Sequence, residues 1–114
     1  DFSFEQAYNL GDTVVSFEPS AVVCATDNIA LGLLRYFHEK KIRVPQDISL
    51  AGFGGYPVGS ISYPSLTSLA FDYKHLGIKT VEKLLSMLQN QPVTSEYDHN
   101  MNLIIRESTR LAKI

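Results

Sequence analysis

The chain has 114 residues, 45% of them hydrophobic and 19% charged, the balance of one modest folded domain and not of a disordered segment. Its net charge of -2, with the 10 Lys and Arg scattered along it, argues against a part that grips a phosphate backbone, because such modules are basic and clustered. Cys24 is the one cysteine, so no internal disulfide forms; this suits a reducing cytoplasm. No apolar run approaches the roughly 20 residues that span a bilayer, and no signal peptide is visible. The opening Asp1-Phe2-Ser3 carries no initiator methionine, so the sequence reads as a piece of a longer chain.

In chain order, Ser3 followed by Gln6 resembles a capping box, and a short helix is predicted over residues 4–10 with Gly11 as its stop. Residues 14–17 are apolar or β-prone, broken off by Glu18-Pro19-Ser20. The run Ala21-Val22-Val23-Cys24-Ala25 suits a strand buried on both faces of a parallel sheet. Asp27 stands as a candidate N-cap for a helix over residues 28–41, with Ile29, Ala30, Leu33, Leu34 and Phe37 at helical spacing, Lys40 and Lys41 in its last turn, and Pro45 beyond its end. Residues 48–53 read as a second buried strand. Residues 21–53 thus form a strand–helix–strand unit, parallel and right-handed. Residues 54–65, rich in Gly, Ser, Pro and Tyr, are a long loop of the kind that often carries function. A third strand over 66–71 leads to a helix over 74–89 capped by Asp72, with Ile78, Val81, Leu84, Leu85 and Leu88 on one side. A polar loop over 90–100, a last strand over 102–107 and a frayed tail complete the chain. The fold class is therefore α/β, a parallel sheet flanked by helices.

The search for chemistry favours binding over catalysis. His38, His75 and His99 lie far apart in sequence, none at metal-ligand spacing with Cys24 or a carboxylate pair, so neither a metal nor a cofactor is expected. Neither a Gly-x-Ser-x-Gly elbow nor a P-loop occurs. Gly52-Phe53-Gly54-Gly55 lacks the full dinucleotide fingerprint and reads as a flexible turn. Cys24, inside a strand, is inert packing. Ligands of open α/β sheets sit outside the carboxyl ends of the strands. One such end carries Thr26 and Asp27, the other Gly54, Gly55 and Tyr56. With Tyr73 these supply the short polar groups and aromatic faces that a sugar needs. Against this, Asp27 serves equally as a pure N-cap, Tyr56 as loop packing and Tyr73 as core. On the helix over 28–41, Leu31 and Tyr36 fall outside the main apolar stripe, which means either wide burial or a second contact surface, most simply that of a homodimer.

At this point the motifs become recognisable. The stretch from Pro19 through Ala25-Thr26-Asp27-Asn28 to Gly32, then Val44-Pro45-Gln46-Asp47-Ile48-Ser49-Leu50-Ala51-Gly52-Phe53, Tyr63-Pro64-Ser65-Leu66-Thr67-Ser68-Leu69, Gly77 and the closing Arg106-Glu107-Ser108-Thr109 follow in the order of the lactose-repressor/galactose-repressor family of transcription regulators. The resemblance covers nearly the whole chain. It implies the C-terminal part of a periplasmic-binding-protein-like core of two subdomains, with a small-molecule sugar effector in the cleft between them. DNA binding would be left to a helix-turn-helix headpiece absent from this chain. It assigns residues 1–66 to the C-terminal subdomain, 67–98 to a crossover strand and helix that belong with the N-terminal subdomain, and 99–114 to a final strand returning to the first, followed by the tail. It places Leu31 in a homodimer contact, Thr26 where the family often has an effector-binding Asn, and Tyr73 at the aromatic residue of the crossover strand. One departure matters. Many members carry Asp after the Gly-Phe pair, and here Gly54 stands there. Either Gly54-Gly55 makes room for a larger ligand, such as the disaccharide of a sucrose-type repressor, or the site avoids repelling a sugar acid or sugar phosphate. The expected role is that of a cytoplasmic repressor's sugar-binding core and not an enzyme. The rival is a periplasmic sugar-binding protein feeding a transporter.

Overall fold

The computed structural model describes residues 3–95 and 100–112; His99, part of the loop expected over 90–100 and the boundary expected at 98/99 lie outside the described residues. The elements are α1 (Phe4–Asn9), α2 (Gly11–Ser16), β1 (Ala21–Val23), α3 (Asp27–Glu39), β2 (Ser49–Gly54), α4 (Val58–Ile61), β3 (Thr67–Phe71), α5 (Tyr73–Leu88) and β4 (Met101–Ile104). The strands lie in one sheet in the order β1-β2-β3-β4. β1 runs parallel to β2 with Val22 opposite Leu50, and β2 runs parallel to β3 with Gly52 opposite Ser68. The chain divides into two compact units, Asp1–Ala70 with Leu103–Ile114, and Phe71–Asn102.

In the first unit α3 packs on the sheet through the face predicted by its spacing. Ala30, Phe37, Leu50 and Leu66 are fully buried, with Leu33 and Ile48 beside them. α1 crosses α3 at Gly32, where an added Cβ would stand 2.2 Å from the Phe4 carbonyl oxygen; only a glycine lets the two backbones approach so closely. Ser3 caps α1 by accepting from Gln6 N at 3.3 Å.

Four expectations are corrected here. Gly11 does not end a helix but opens α2, so residues 14–16 are helical and not β-prone. The reason lies in tertiary packing: α2 covers Tyr36, whose ring occupies the place of a Gly11 side chain, and the Tyr36 hydroxyl donates to Asp12 Oδ1 at 2.5 Å. That acceptor, chiefly, with burial, pushes the Tyr36 hydroxyl up to about 12. Tyr8 adds an edge-on ring at 5.9 Å and donates to Glu39. Tyr36 is thus inside, widely buried under α1 and α2, and offers no second surface; Leu31 remains half-buried. Next, β1 is not buried on both faces. It lies at the sheet edge with Val23 81% exposed, so only one of its faces meets the core. Third, α3 begins and ends earlier than predicted: Thr26 and not Asp27 is its N-cap, and its last helical residue is Glu39. Beyond it Lys41 takes a left-handed φ of 58, while Ile42 N donates to Phe37 O and Lys41 N to His38 O, a Schellman closure. Last, the tail is not frayed. Ser108 is fully buried, its hydroxyl donates to Leu50 O at 2.5 Å and accepts from Thr67 N at 2.8 Å, and Leu50 N donates to Ser108 O. Arg106 reaches Leu66 O, and Arg110 reaches the carbonyls of Pro45 and Gln46.

The second unit is built on α5. Asp72 caps it, accepting from His75 N at 2.9 Å, as predicted. Asn90, at φ 53, closes its other end, with Gln91 N donating to Ser86 O. Ile78, Val81, Leu84, Leu85 and Leu88 line one side as expected, and all are exposed.

Candidate functional site

At the carboxyl ends of β1 and β2 the first unit brings together Thr26, Asp27, Gly54, Gly55 and Tyr56. Their arrangement follows from one buried carboxylate. Asp27, the first residue of α3, is fully buried. Its Oδ2 accepts from Tyr56 N at 2.6 Å and its Oδ1 from the Ser68 hydroxyl at 2.6 Å. The Ser68 oxygen in turn accepts from Gly55 N at 3.0 Å. A helix N-terminus favours a negative group, and hydrogen bonds to both oxygens offset the cost of burying it. Asp27 therefore fastens the β2–α4 loop to α3 and β3.

Glycines make the fastening possible. A Cβ on Gly52 would stand 2.2 Å from Asp27 Oδ1, so Gly52 leaves the space the carboxylate fills. Gly54 and Gly55 take φ of 122 and 68, in the left-handed range that favours glycine. A Gly55 side chain would meet the Ala70 Cβ at 2.3 Å. The flexible turn expected over residues 52–55 is instead the end of a strand, since β2 runs to Gly54, and its conformation is fixed from three sides.

Thr26 is half-buried at the rim. Its oxygen accepts from Ile29 N at 3.2 Å, and among the described residues its hydroxyl proton has no acceptor. Tyr56 is half-buried, and its hydroxyl likewise makes no hydrogen bond among the described residues. Tyr73 belongs to the second unit, where it opens α5, 49% exposed, its ring 6.0 Å from that of Phe71. Cys24, close to this end of β1, is buried, and desolvation first, with the charge of Asp27 second, pushes its thiol up to about 11; it is a packing residue and not a nucleophile. Ser68 and Gly52 were missed as members of the site. Their signals were the polar pair Thr67-Ser68 within a strand and a glycine inside another, which marks close approach.

A groove of about 880 Å³ lies elsewhere, at the other end of α3, between Leu34, Lys41, Val44 and the Tyr63-Pro64 pair. It shares no residue with the strand-end site. Among the described residues no group of His, Cys, Asp and Glu could hold a metal ion, and no helix is long and apolar enough to cross a membrane.

An open parallel sheet whose strand ends carry a rigid glycine-built rim defines a class of ligand-binding α/β domains. The chain belongs to the periplasmic binding protein-like domain family, whose model matches residues 2–109. It is similar to the ribose operon repressor of Halalkalibacterium halodurans, 26% identical over 113 residues, covering 96% of this chain and 34% of that protein. It is also similar to the lactose operon repressor of Escherichia coli, 34% identical over 91 residues, covering 80% and 25%. In fold it matches the crystal structure of a LacI family transcriptional regulator from Enterococcus faecium with bound ribose, with a TM-score of 0.92 at 24% identity, covering 99% of this chain and 42% of that one. The chain thus spans about a quarter to a third of the length of these curated relatives.

Proposed function

We propose that this chain is part of the effector-binding core of a transcription repressor and holds a small sugar against the carboxyl ends of β1 and β2. The observation that carries the reading is the locked rim: Asp27 and Ser68 fix the Gly55 and Tyr56 amides, leaving the Thr26 hydroxyl and the Tyr56 ring to meet a ligand. The kinship with ribose and lactose operon repressors supports a sugar. Binding without turnover fits a site whose carboxylate is buried and bonded to the Tyr56 amide and the Ser68 hydroxyl. In this reading the unit Asp1–Ala70 with Leu103–Ile114 corresponds to the C-terminal subdomain, and Phe71–Asn102, which carries Tyr73, to a crossover piece of the N-terminal one. DNA contact falls to a headpiece outside this chain, and the protein acts in the cytoplasm. Pairing of two copies through α3 belongs to the same proposal and rests on Leu31; Leu31→Glu in the natural full-length protein then halves the mass seen in sedimentation, and an unchanged mass removes α3 from the interface.

The ligand test is titration calorimetry on the natural full-length protein with sucrose, lactose, ribose, gluconate and a hexose phosphate. One sugar binds in the micromolar range, and Thr26→Val or Tyr73→Ala weakens it by roughly 10-fold, as the loss of one hydrogen bond or ring contact predicts. No binding across the panel refutes the reading. Affinity untouched by both substitutions means that the site is misplaced.

A further inference from the structure

The space left by the missing side chain at position 54 is not empty. A Cβ built on Gly54 would stand 2.9 Å from Tyr56 Cε1 and 3.2 Å from its Cζ. The Tyr56 ring therefore lies across the Gly54 backbone, where a longer residue 54 would project. Any side chain at 54 and this ring position exclude each other.

The backbone that carries the ring is anchored on both sides of the Gly55–Tyr56 peptide. Tyr56 N is anchored on Asp27 Oδ2, and the preceding Gly55 N on Ser68 Oγ. Gly55 is pressed against Ala70, whose Cβ lies 2.3 Å from where a Gly55 side chain would begin. Asp27 and Ser68 are themselves fully buried, so the mount is rigid. A tyrosine that only packs a loop usually hands its hydroxyl to a partner. Tyr56 is half-buried and hands its hydroxyl to none of the described residues. What remains is an aromatic surface on an anchored backbone, its hydroxyl unbonded among the described residues, at the carboxyl edge of β2.

We infer that Tyr56 is the specificity-determining residue of the effector site, a platform for the apolar C–H face of an uncharged cyclic sugar, and that its ring fills the space which a side chain at position 54 would take. The inference rests on the effector-binding reading above. A ring lined with C–H groups on one face gains from lying on an aromatic surface, while its hydroxyls take hydrogen bonds from groups such as Tyr56 and Thr26. With a neutral ring where a carboxylate side chain could stand, the platform offers an amine-bearing ligand no ion pair, only the weaker pull of a ring face on a cation.

The test compares Tyr56→Phe, Tyr56→Leu and Tyr56→Ala with wild type, each in the natural full-length protein, by calorimetry against the same panel widened with glucose and glucosamine. Circular dichroism melts establish that each variant is folded. Tyr56→Leu and Tyr56→Ala weaken the preferred sugar by about 10-fold, the worth of one aromatic contact, and change the order of preference, with bulkier sugars gaining relative to smaller ones in Tyr56→Ala. Tyr56→Phe keeps that order. The Leu and Ala variants at 56 decide the question. If wild type binds a sugar and both of those variants match it within about 2-fold, in the same order, the platform is refuted while the effector-binding reading stands. If wild type binds no member of the panel, that reading falls and the platform with it.

Discussion

Gly52 and Asp27 offer a sharp test of how the rim is built, because each explains the other. The Gly52→Ala methyl would begin 2.2 Å from Asp27 Oδ1, with Leu66 Cδ2 at 3.0 Å and Asp27 Cα at 3.1 Å. The carboxylate must yield, and the atom displaced is the one that takes the Ser68 hydroxyl at 2.6 Å. Loss of one charge-assisted bond costs about 1.5–3 kcal/mol. Asp27→Ala removes both bonds and leaves Tyr56 N and the Ser68 hydroxyl without that partner, a cost of about 3–5 kcal/mol. In the double variant the clashing atom is gone, and the new methyl meets only Leu66, which is flexible, and the Asp27 Cα. Gly52→Ala should then add under about 1 kcal/mol, a coupling of about 1–2 kcal/mol in favour of the pair. Urea unfolding followed by far-ultraviolet circular dichroism on the four proteins measures this directly. Additive losses would refute the argument, since they would mean that Gly52 is small for a reason other than the carboxylate.

Other outcomes follow from the same geometry. Ser108→Ala strips partners from Leu50 O and Thr67 N at once and should cost about 2–4 kcal/mol in the same assay; a loss below about 1 kcal/mol would mean that the tail is dispensable. Lys41 holds a left-handed φ of 58 at the end of α3, so Lys41→Gly should stabilise by about 0.5–1 kcal/mol, and a lowered urea midpoint would contradict the strain. Bonds from the Ser65 backbone, then from its side chain, hold the Glu107 carboxyl below the usual range. That contribution is present above the ordinary glutamate value of about 4.3 and disappears as pH falls through the lower folded value. Between pH of about 5 and about 3 the wild-type melting midpoint should therefore drop further than that of Glu107→Gln; parallel curves would show that the Ser65 contact carries no pH dependence.

Much of the frame was legible because local signals and burial agreed. The spacing of Ala30, Leu33, Leu34 and Phe37 placed α3, and Asp72 announced α5. Where reading failed, the deciding contact was distant in sequence. Thr26 and Asp27 are both good caps, and nothing local says which one is used. The choice is made by Ser68, 41 residues away, and the Tyr56 amide, 29 away, which claim Asp27 and leave Thr26 to the helix. Gly11 looked like a stop because its role is to lie on Tyr36, a contact between helices separated by β1. The apolar run of β1 resembled a strand covered on both sides, yet hydrophobicity alone does not tell an edge from a centre. The tail was taken for loose polar sequence, although Ser108 and Arg110 are spent on carbonyls of residues more than fifty positions earlier. For the site itself, the strand ends were found from topology, but the seating of Tyr56 on Gly54 depends on two positive φ angles that sequence only permits.

The clasp at residues 106–110 also sets an order of events during synthesis. The first unit is made of a long opening segment and a short closing one, with Phe71–Asn102 between them. Domains tend to fold as they emerge, amino-terminal part first, at about 5–20 residues per second. A nascent chain that has emerged as far as Phe71 holds α3, β2 and β3 but not the groups that satisfy Leu50 and Thr67. It must wait for residues 106–110, so premature termination anywhere in α5 leaves Leu50 and Thr67 without the backbone and hydroxyl partners that Ser108 supplies.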